Sequence, residues 1–370
     1  MFRPRQSLPL ILAMLLGVLA CVPAAGAAVP AGPRLSFLDA EFLLKEGKEA
    51  DVPEAKLAAR LVSTGANGHD VRPLLGTSSV GGVGPLVAWS ADGGEFAFVG
   101  KLATAESDEG RLYLARADGT EVHAIPGTNG ASDPVLSPDG RLLAYSLTRE
   151  HHPKFDPRNL KSVLKSLKHS WSSTTIWIVP TAGGTPRRLT SWGKGRSSEP
   201  SSISPDGKTL AVTVERPGSK QEVDAVDLAT GKARTLEVDG ADAAYSPDGS
   251  EIAFVSYRDH ESVPGFDEPE AVSELYVAAA DGTGAHRMTH TPHMQEGAPS
   301  WDPGGTRLAY LRSPGGGLGV FEQSIAESNA DGTCVQSIVP PPARHRGWET
   351  LIGAPTWVPG EGRAAEPLSC

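Results

Sequence analysis

Short runs in which large apolar positions alternate with small or polar ones recur from about residue 34 to residue 358, each bounded by a glycine-bearing turn. Alternation with a period of two is strand geometry, because successive side chains leave a pleated backbone on opposite faces. Five segments match one another closely: AWSADGGEFAF (88–98), VLSPDGRLLAY (135–145), SISPDGKTLAV (202–212), AYSPDGSEIAF (244–254) and SWDPGGTRLAY (300–310), with a partial copy, TWVPG, at 356–360. Each predicts a strand, a tight reversal and a second strand. Proline fixes φ at the turn entry, and Asp-Gly supplies residues that tolerate positive φ. The small Ala between two large residues, as in Phe96-Ala97-Phe98 or Leu143-Ala144-Tyr145, suits one crowded face against a neighbouring sheet.

A second repeated unit lies between these copies. It reads RLVSTGANGHDVRPL (60–74), LYLARADGTEVHAI (112–125), IWIVPTAGGTPRRL (176–189), VDAVDLATGKARTL (223–236), LYVAAADGTGAHRM (275–288) and SIAESNADGTCVQSI (324–338). Its turns, from Asn67-Gly68 to Asp331-Gly332, are spaced 51, 65, 47, 51 and 50 residues apart. Two hairpins per period of this length describe one four-stranded blade. Solenoid repeats are usually shorter and lack two turn signals per unit.

The expected fold is therefore all-β, a six-bladed β-propeller of four-stranded antiparallel blades. The first unit is split between the chain ends: Leu35-Ser36-Phe37 supplies its second strand and Pro355-Thr356-Trp357-Val358-Pro359 its first. Pairing of N- and C-terminal strands would close the ring and remove open sheet edges. Blade one is expected at about 34–80 plus 353–360, with later blades beginning near 86, 133, 200, 242 and 298.

Composition adds compartment and partners. Arg3 and Arg5, the apolar run 8–20 and the A-x-A site Ala25-Gly26-Ala27 form a signal peptide over residues 1–27, which leaves 28–370 as a single propeller domain. Val18-Leu19-Ala20-Cys21 also resembles a lipobox; a cut there would leave Cys21 as a lipidated N-terminus, and only then is membrane attachment expected. Either way an extracytoplasmic protein is expected, whether periplasmic, cell-surface or secreted. Cleavage after Ala27 takes the formal charge from −10 to about −12, which argues against nucleic-acid binding. Cys334 and Cys370 then remain as an even pair in an oxidising compartment and are expected to form a disulfide just beyond the ring closure.

The repeat resembles that of the TolB family, whose hallmark is W-S-P-D-G followed by apolar-Ala-apolar and then Y-V-x-x-A-D-G. Its nearest copies here are Tyr245-Ser246-Pro247-Asp248-Gly249 and Leu275-Tyr276-Val277 through Asp281-Gly282. The resemblance covers nearly all of the mature chain and implies the propeller fold. TolB carries a further N-terminal α/β domain; here about seven residues separate the signal peptide from the first strand, so that domain and its partners are not expected. The same repeat occurs in propellers of prolyl-oligopeptidase-like peptidases and of some pectate-type lyases.

Topology places the short Asp-Gly turns on one face of the ring. The long insertions, 38–58, 146–174 and 255–273, fall on the other, where binding loops on a rigid scaffold usually sit. Candidate binding residues are the basic and aromatic set Arg149, His151, His152, Lys165, Lys168, His169 and Trp171, with a possible short helix from Asn159 to His169, the acidic set Asp259, Glu261, Asp267 and Glu268, and His293 in the linker beyond. The bland alternative is that these are solvated loops, since exposed charge pairs contribute little. No G-x-S-x-G, H-E-x-x-H, Walker loop or zinc-type cysteine pair occurs. The leading expectation is a non-catalytic binding or scaffold module for a protein, peptide or cell-envelope glycan, without a cofactor. The rival is a metal-dependent lyase or hydrolase with its site at the channel mouth, built from His151 or His152, His293 and Asp259 or Glu268. A third reading is a sensor whose charged loops respond to an ion or small molecule.

Overall fold

The computed structural model describes residues 33–43, 58–75, 80–81, 83–84, 86–102, 110–151, 158–159, 161, 171–193, 196–216, 220–236, 238–263, 270–315, 323–340, 348–359 and 366–370. Six antiparallel sheets form the blades of a propeller. Blade I pairs Arg34–Leu43, Ala58–Gly65 and Arg72–Pro73; its inner edge comes from the C-terminal segments Trp348–Ile352 and Thr356–Val358. The register is continuous across the chain ends: Arg34 opposes Val358, Leu35 opposes Trp357 and Asp39 opposes Ile352. Ring closure by terminal strand pairing thus follows the sequence expectation.

The inner strands of blades II to VI are Val87–Trp89, Ala131–Leu136, Ser197–Ile203, Ala241–Tyr245 and Met294–Trp301. They begin within a few residues of the positions the repeats imply. The largest difference is in blade III. Its second and third strands, Leu142–His151 and Trp171–Pro180, stay paired over ten residues to His151 opposite Trp171. Both ends of what reads as an insertion in the sequence, 146–151 and 171–174, are therefore continuations of the paired strands. The helix expected from Asn159 to His169 falls largely outside the described residues.

The repeated Ser-x-Asp-Gly turn, with Pro at the second position in blades III, IV and V and Ala91 in blade II, has one hydrogen-bonding plan in four blades. The Ser hydroxyl donates to the Asp carboxylate at 2.6–2.7 Å, as in Ser90–Asp92, Ser137–Asp139, Ser204–Asp206 and Ser246–Asp248. The same hydroxyl accepts from the backbone five residues on, at 2.9–3.0 Å. Blade VI replaces the Ser with Asp302, which accepts from the amides of Thr306 and Arg307 at 2.6 and 2.7 Å. In the four Ser-led turns the Ser hydroxyl and a turn amide stabilise the ionised Asp and hold it below the usual carboxylate range; for Asp248 the Ser250 amide and the Ser246 hydroxyl hold it at about 2.

The hydrophobic core is not central. It is divided into six clusters, one at each junction between neighbouring blades. The apolar-Ala-apolar signature builds them. Phe96 and Phe98 pack toward blade I, whereas Ala97 between them packs toward blade III. Leu143 and Tyr145 likewise face blade II while Ala144 faces blade IV. Ala97, Ala144, Ala211, Ala253 and Ala309 are all completely buried, so the small side chain marks the side on which the next sheet comes closest.

Glycine at the outer turn sets a second close approach. A Cβ on Gly119 of blade II would fall 2.1 Å from the Leu74 carbonyl oxygen of blade I, and one on Gly332 of blade VI would fall 2.6 Å from that of Met288 in blade V. Gly68, at φ +74°, repeats the contact across the seam, where a Cβ would lie 2.0 Å from the Ile338 oxygen. The Cys334–Cys370 disulfide is present. It fixes the tail to the outer hairpin of blade VI, where the Asn329 side chain also exchanges two hydrogen bonds with the backbone of Leu368 at 3.1 and 2.6 Å.

Candidate functional site

The six inner strands surround a central channel with a volume of about 500 Å³. Its two ends differ because each inner strand runs from one face of the ring to the other. The end at the Ser-Pro-Asp-Gly turns is bordered by Pro138, Pro205, Pro247, Pro303 and Pro359. The opposite end, formed where the inner strands begin, shares its face with the long connections between second and third strands. Here Asp133, Glu199 and Asp242 of three consecutive blades line the channel.

Local backbone geometry puts Asp133 and Asp242 there, whereas Glu199 lies in regular register opposite Thr213. The inner strands of blades III, IV, V and VI each slip register once against their neighbours, a β-bulge at residues 133–134, 201, 242–243 and 298–299 in turn. In three of them a residue takes the left-handed conformation: Asp133 at φ 51°, Asp242 at φ 53° and Ala298 at φ 49°. Aspartate tolerates this region better than most residues, and a bulge turns a side chain that regular pleating would aim elsewhere. Asp133 accepts from the Ser146 hydroxyl at 2.5 Å. Asp242 accepts from the Ala298 amide at 3.2 Å, while its own amide donates to Thr213 Oγ1 at 3.1 Å.

Electrostatics at this mouth are one-sided. No cationic side chain pairs with Asp133, Glu199 or Asp242 among the described residues. Enclosure by the surrounding blades raises the Glu199 carboxyl above its ordinary range, and the charges of Asp133, Asp242 and Glu215 raise it further. Water still reaches Glu199, which is exposed to the channel. Burial also raises Asp242, against its bond from Ala298 and with the Asp133 charge adding to the rise. The mouth is thus a region of negative potential that a cation would relieve.

The residues singled out in the sequence fall into four groups. Arg149 is exposed on the blade III hairpin, two positions before His151. His151 and Trp171 are register partners at the far end of that hairpin. Asp259 and Glu261 are already engaged: Arg287 Nη1 lies 3.0 Å from Asp259 and 2.9 Å from Glu261, and the Tyr276 hydroxyl donates to Asp259. His293 is an exposed linker residue at φ 71°. His152, Lys165, Lys168, His169, Asp267 and Glu268 lie outside the described residues. Among the described residues, no three His, Cys, Asp or Glu side chains are placed to hold a metal.

The channel carboxylates were not singled out from sequence, although a signal exists. Blades VI and I read Gly297-Ala298-Pro299 and Gly353-Ala354-Pro355, whereas blades III and IV read Ser132-Asp133-Pro134 and Ser198-Glu199-Pro200. An acid has entered a position that other repeats keep small, one strand-length before the turn.

No protein-family model matches the sequence, and no curated protein matches it. Among solved structures the chain is similar to TolB from Acinetobacter baumannii, with a TM-score of 0.58 and 18% identity, covering 88% of this chain and 67% of that one. It is similar to a putative TolB from Agrobacterium tumefaciens, with a TM-score of 0.56 and 18% identity over 87% of this chain and 99% of that one. A chain of a nidogen/laminin complex matches with a TM-score of 0.52 and 10% identity, over 88% and 99% of the two chains. At these identities the likeness is one of fold: the chain shares the six-bladed propeller architecture seen in TolB.

Proposed function

We propose that this protein is a non-catalytic, extracytoplasmic binding module that receives a basic segment of a protein or peptide at the acidic mouth of its central channel. The observation that carries the reading is the trio Asp133, Glu199 and Asp242, converging from three blades on a channel of about 500 Å³ without a cationic partner among the described residues. A channel of this size admits a few side chains of an extended segment but not a folded domain. The fully buried scaffold behind it keeps the mouth preorganised, so little ordering cost opposes binding. The disulfide supports export, because such bridges persist in oxidising compartments.

The test uses fluorescein-labelled tetra-arginine, with tetra-serine as control, read by anisotropy. The triple variant Asp133→Asn/Glu199→Gln/Asp242→Asn is compared with a charge-matched triple, Asp118→Asn/Asp281→Asn/Asp331→Asn, on the opposite face. Partly exposed charge pairs contribute about 0.7 kcal/mol each, within the range of such pairs, or about 2 kcal/mol for the three, so the channel triple is expected to bind about 30-fold more weakly. Equal weakening by the two triples would show that only net charge matters and would remove the channel from the reading.

A further inference from the structure

A separate cluster lies at the junction of blades V and VI, below the blade V insertion. We propose that Glu274 and Glu296 hold a single proton between them, and that this proton latches blade VI and its linker onto the blade V insertion. Both side chains are almost fully buried, at 1% and 2% exposure. Glu274 opens the third strand of blade V, Glu274–Ala279, and Glu296 lies on the inner strand of blade VI. The backbones are tied next to them: the Glu296 amide donates to the Ser273 carbonyl at 3.1 Å, and the Ser273 hydroxyl donates to the Glu296 carbonyl at 2.6 Å.

One oxygen of each carboxyl is satisfied. Glu274 Oε1 accepts from Arg287 Nη2 at 2.6 Å and from the Thr291 amide at 3.1 Å. Glu296 Oε1 accepts from the Thr291 hydroxyl and lies 3.4 Å from Arg312 Nε. The other oxygens, Glu274 Oε2 and Glu296 Oε2, are both buried without a partner. Two ionised carboxylates cannot satisfy each other, because both only accept. Thr291 bridges the two carboxyls, its amide donating to Glu274 and its hydroxyl to Glu296, so one proton on Glu296 can serve both orphan acceptors in a single bond. Burial pushes the Glu296 carboxyl up to about 8; the Thr291 hydroxyl works against the rise and the Glu274 charge adds to it.

The charged surroundings do not remove the need for the proton. From blade V the pair is faced by Arg287, which also holds Asp259 and Glu261 of the insertion. Arg258 stacks on Tyr276, whose hydroxyl is bound to Asp259. From blade VI come Arg312 and Tyr310. In the linker, Thr291 faces the pair, whereas His290 and His293 are exposed. Two arginines therefore serve four acids, Asp259, Glu261, Glu274 and Glu296. Loss of the proton adds a further negative charge to a dry site, and separation of the blade V strand from the linker would relieve it.

The sign of the linkage follows. A carboxyl whose folded pKa is raised contributes stability that is complete below the ordinary carboxylate value and is lost as pH rises toward the folded value. Unfolding near pH 6.5 should release the Glu296 proton. Urea unfolding between pH 5.5 and 7.5 gives the number released from the slope of stability against pH. Glu296→Gln, whose amide donates to Glu274 in place of the shared proton, should unfold with about one proton fewer released. Glu199, Asp242 and Glu327 are also raised by burial, but they contribute equally to both proteins and cancel in the difference. In the wild type alone, amide exchange across Asp259–Val263 and Thr291–Glu296 should quicken, beyond intrinsic rates, above about pH 8. If Glu296→Gln does not fold, Glu274→Gln decides, because removing the like charge and donating to Glu296 both favour its ionised form and lower the proton count. A variant with the wild-type slope overturns the proposal.

Discussion

Removing the Cys334–Cys370 bridge tests how far the ring depends on its C-terminal closure. The two cysteines are 36 residues apart. Between them lie Trp348–Ile352 and Thr356–Val358, the two segments that complete blade I. A cross-link closing a loop of that size lowers the entropy of the unfolded chain by about 13 cal/mol/K, or about 4 kcal/mol at 25 °C. In the native state the tail keeps other anchors, the Asn329–Leu368 pair and the Arg307 guanidinium donating to the Glu366 carbonyl at 2.6 Å. The folded ring should therefore survive without the bridge, and the loss should lie almost wholly in the unfolded state. Cys334→Ser/Cys370→Ser is expected to unfold in urea with about 3–4 kcal/mol less stability. Because unfolding entropy scales with chain length, the melting temperature should fall by only about 5 °C. Reduced wild type should match the variant. A loss below about 1 kcal/mol would refute the argument that the bridge restrains the closing strands in the unfolded chain.

Two further outcomes follow from the packing. Gly68→Ala places a Cβ against the Ile338 carbonyl at a positive φ and should cost about 2–3 kcal/mol in thermal unfolding; a change within about 0.5 kcal/mol would mean that the seam is looser than described. In acid, the turn carboxylates of Asp92, Asp139, Asp206 and Asp248, all held below the usual range by Ser hydroxyls and turn amides, contribute stability that is present above pH 4 and is lost as pH falls toward about 2. Ser246→Ala should raise the Asp248 pKa toward its ordinary value, seen by NMR titration of the side-chain carboxyl; an unshifted titration would contradict the role given to the Ser hydroxyl.

Most of the fold was legible because the repeat records local physics. Pro-Asp-Gly marks a reversal, apolar-Ala-apolar marks which side of the second strand faces the nearer sheet, and the split copy at the two ends marks the seam. Segments that extend a regular element were less legible. The blade III hairpin runs on to His151 and Trp171 through Ser, Thr and charged residues, which carry little apolar alternation. The site was least legible. Asp133, Glu199 and Asp242 stand 66 and 43 residues apart in sequence, and only the ring brings them together. Charged residues clustered in one loop attracted attention instead, and two of those, Asp259 and Glu261, are occupied in holding Arg287. Glu274 and Glu296 were hidden for a related reason: each looks like an ordinary strand acid until neighbouring blades bury both.

Hydrogen exchange with and without tetra-arginine tests the central claim most directly, since it locates the ligand on the ring without a substitution. Protection is predicted at the starts of the inner strands, residues 131–134, 197–200 and 241–243, with little change at the Ser-Pro-Asp-Gly turns. Protection confined to the turn face or to the outer strands, with the channel mouth unchanged, would contradict the account.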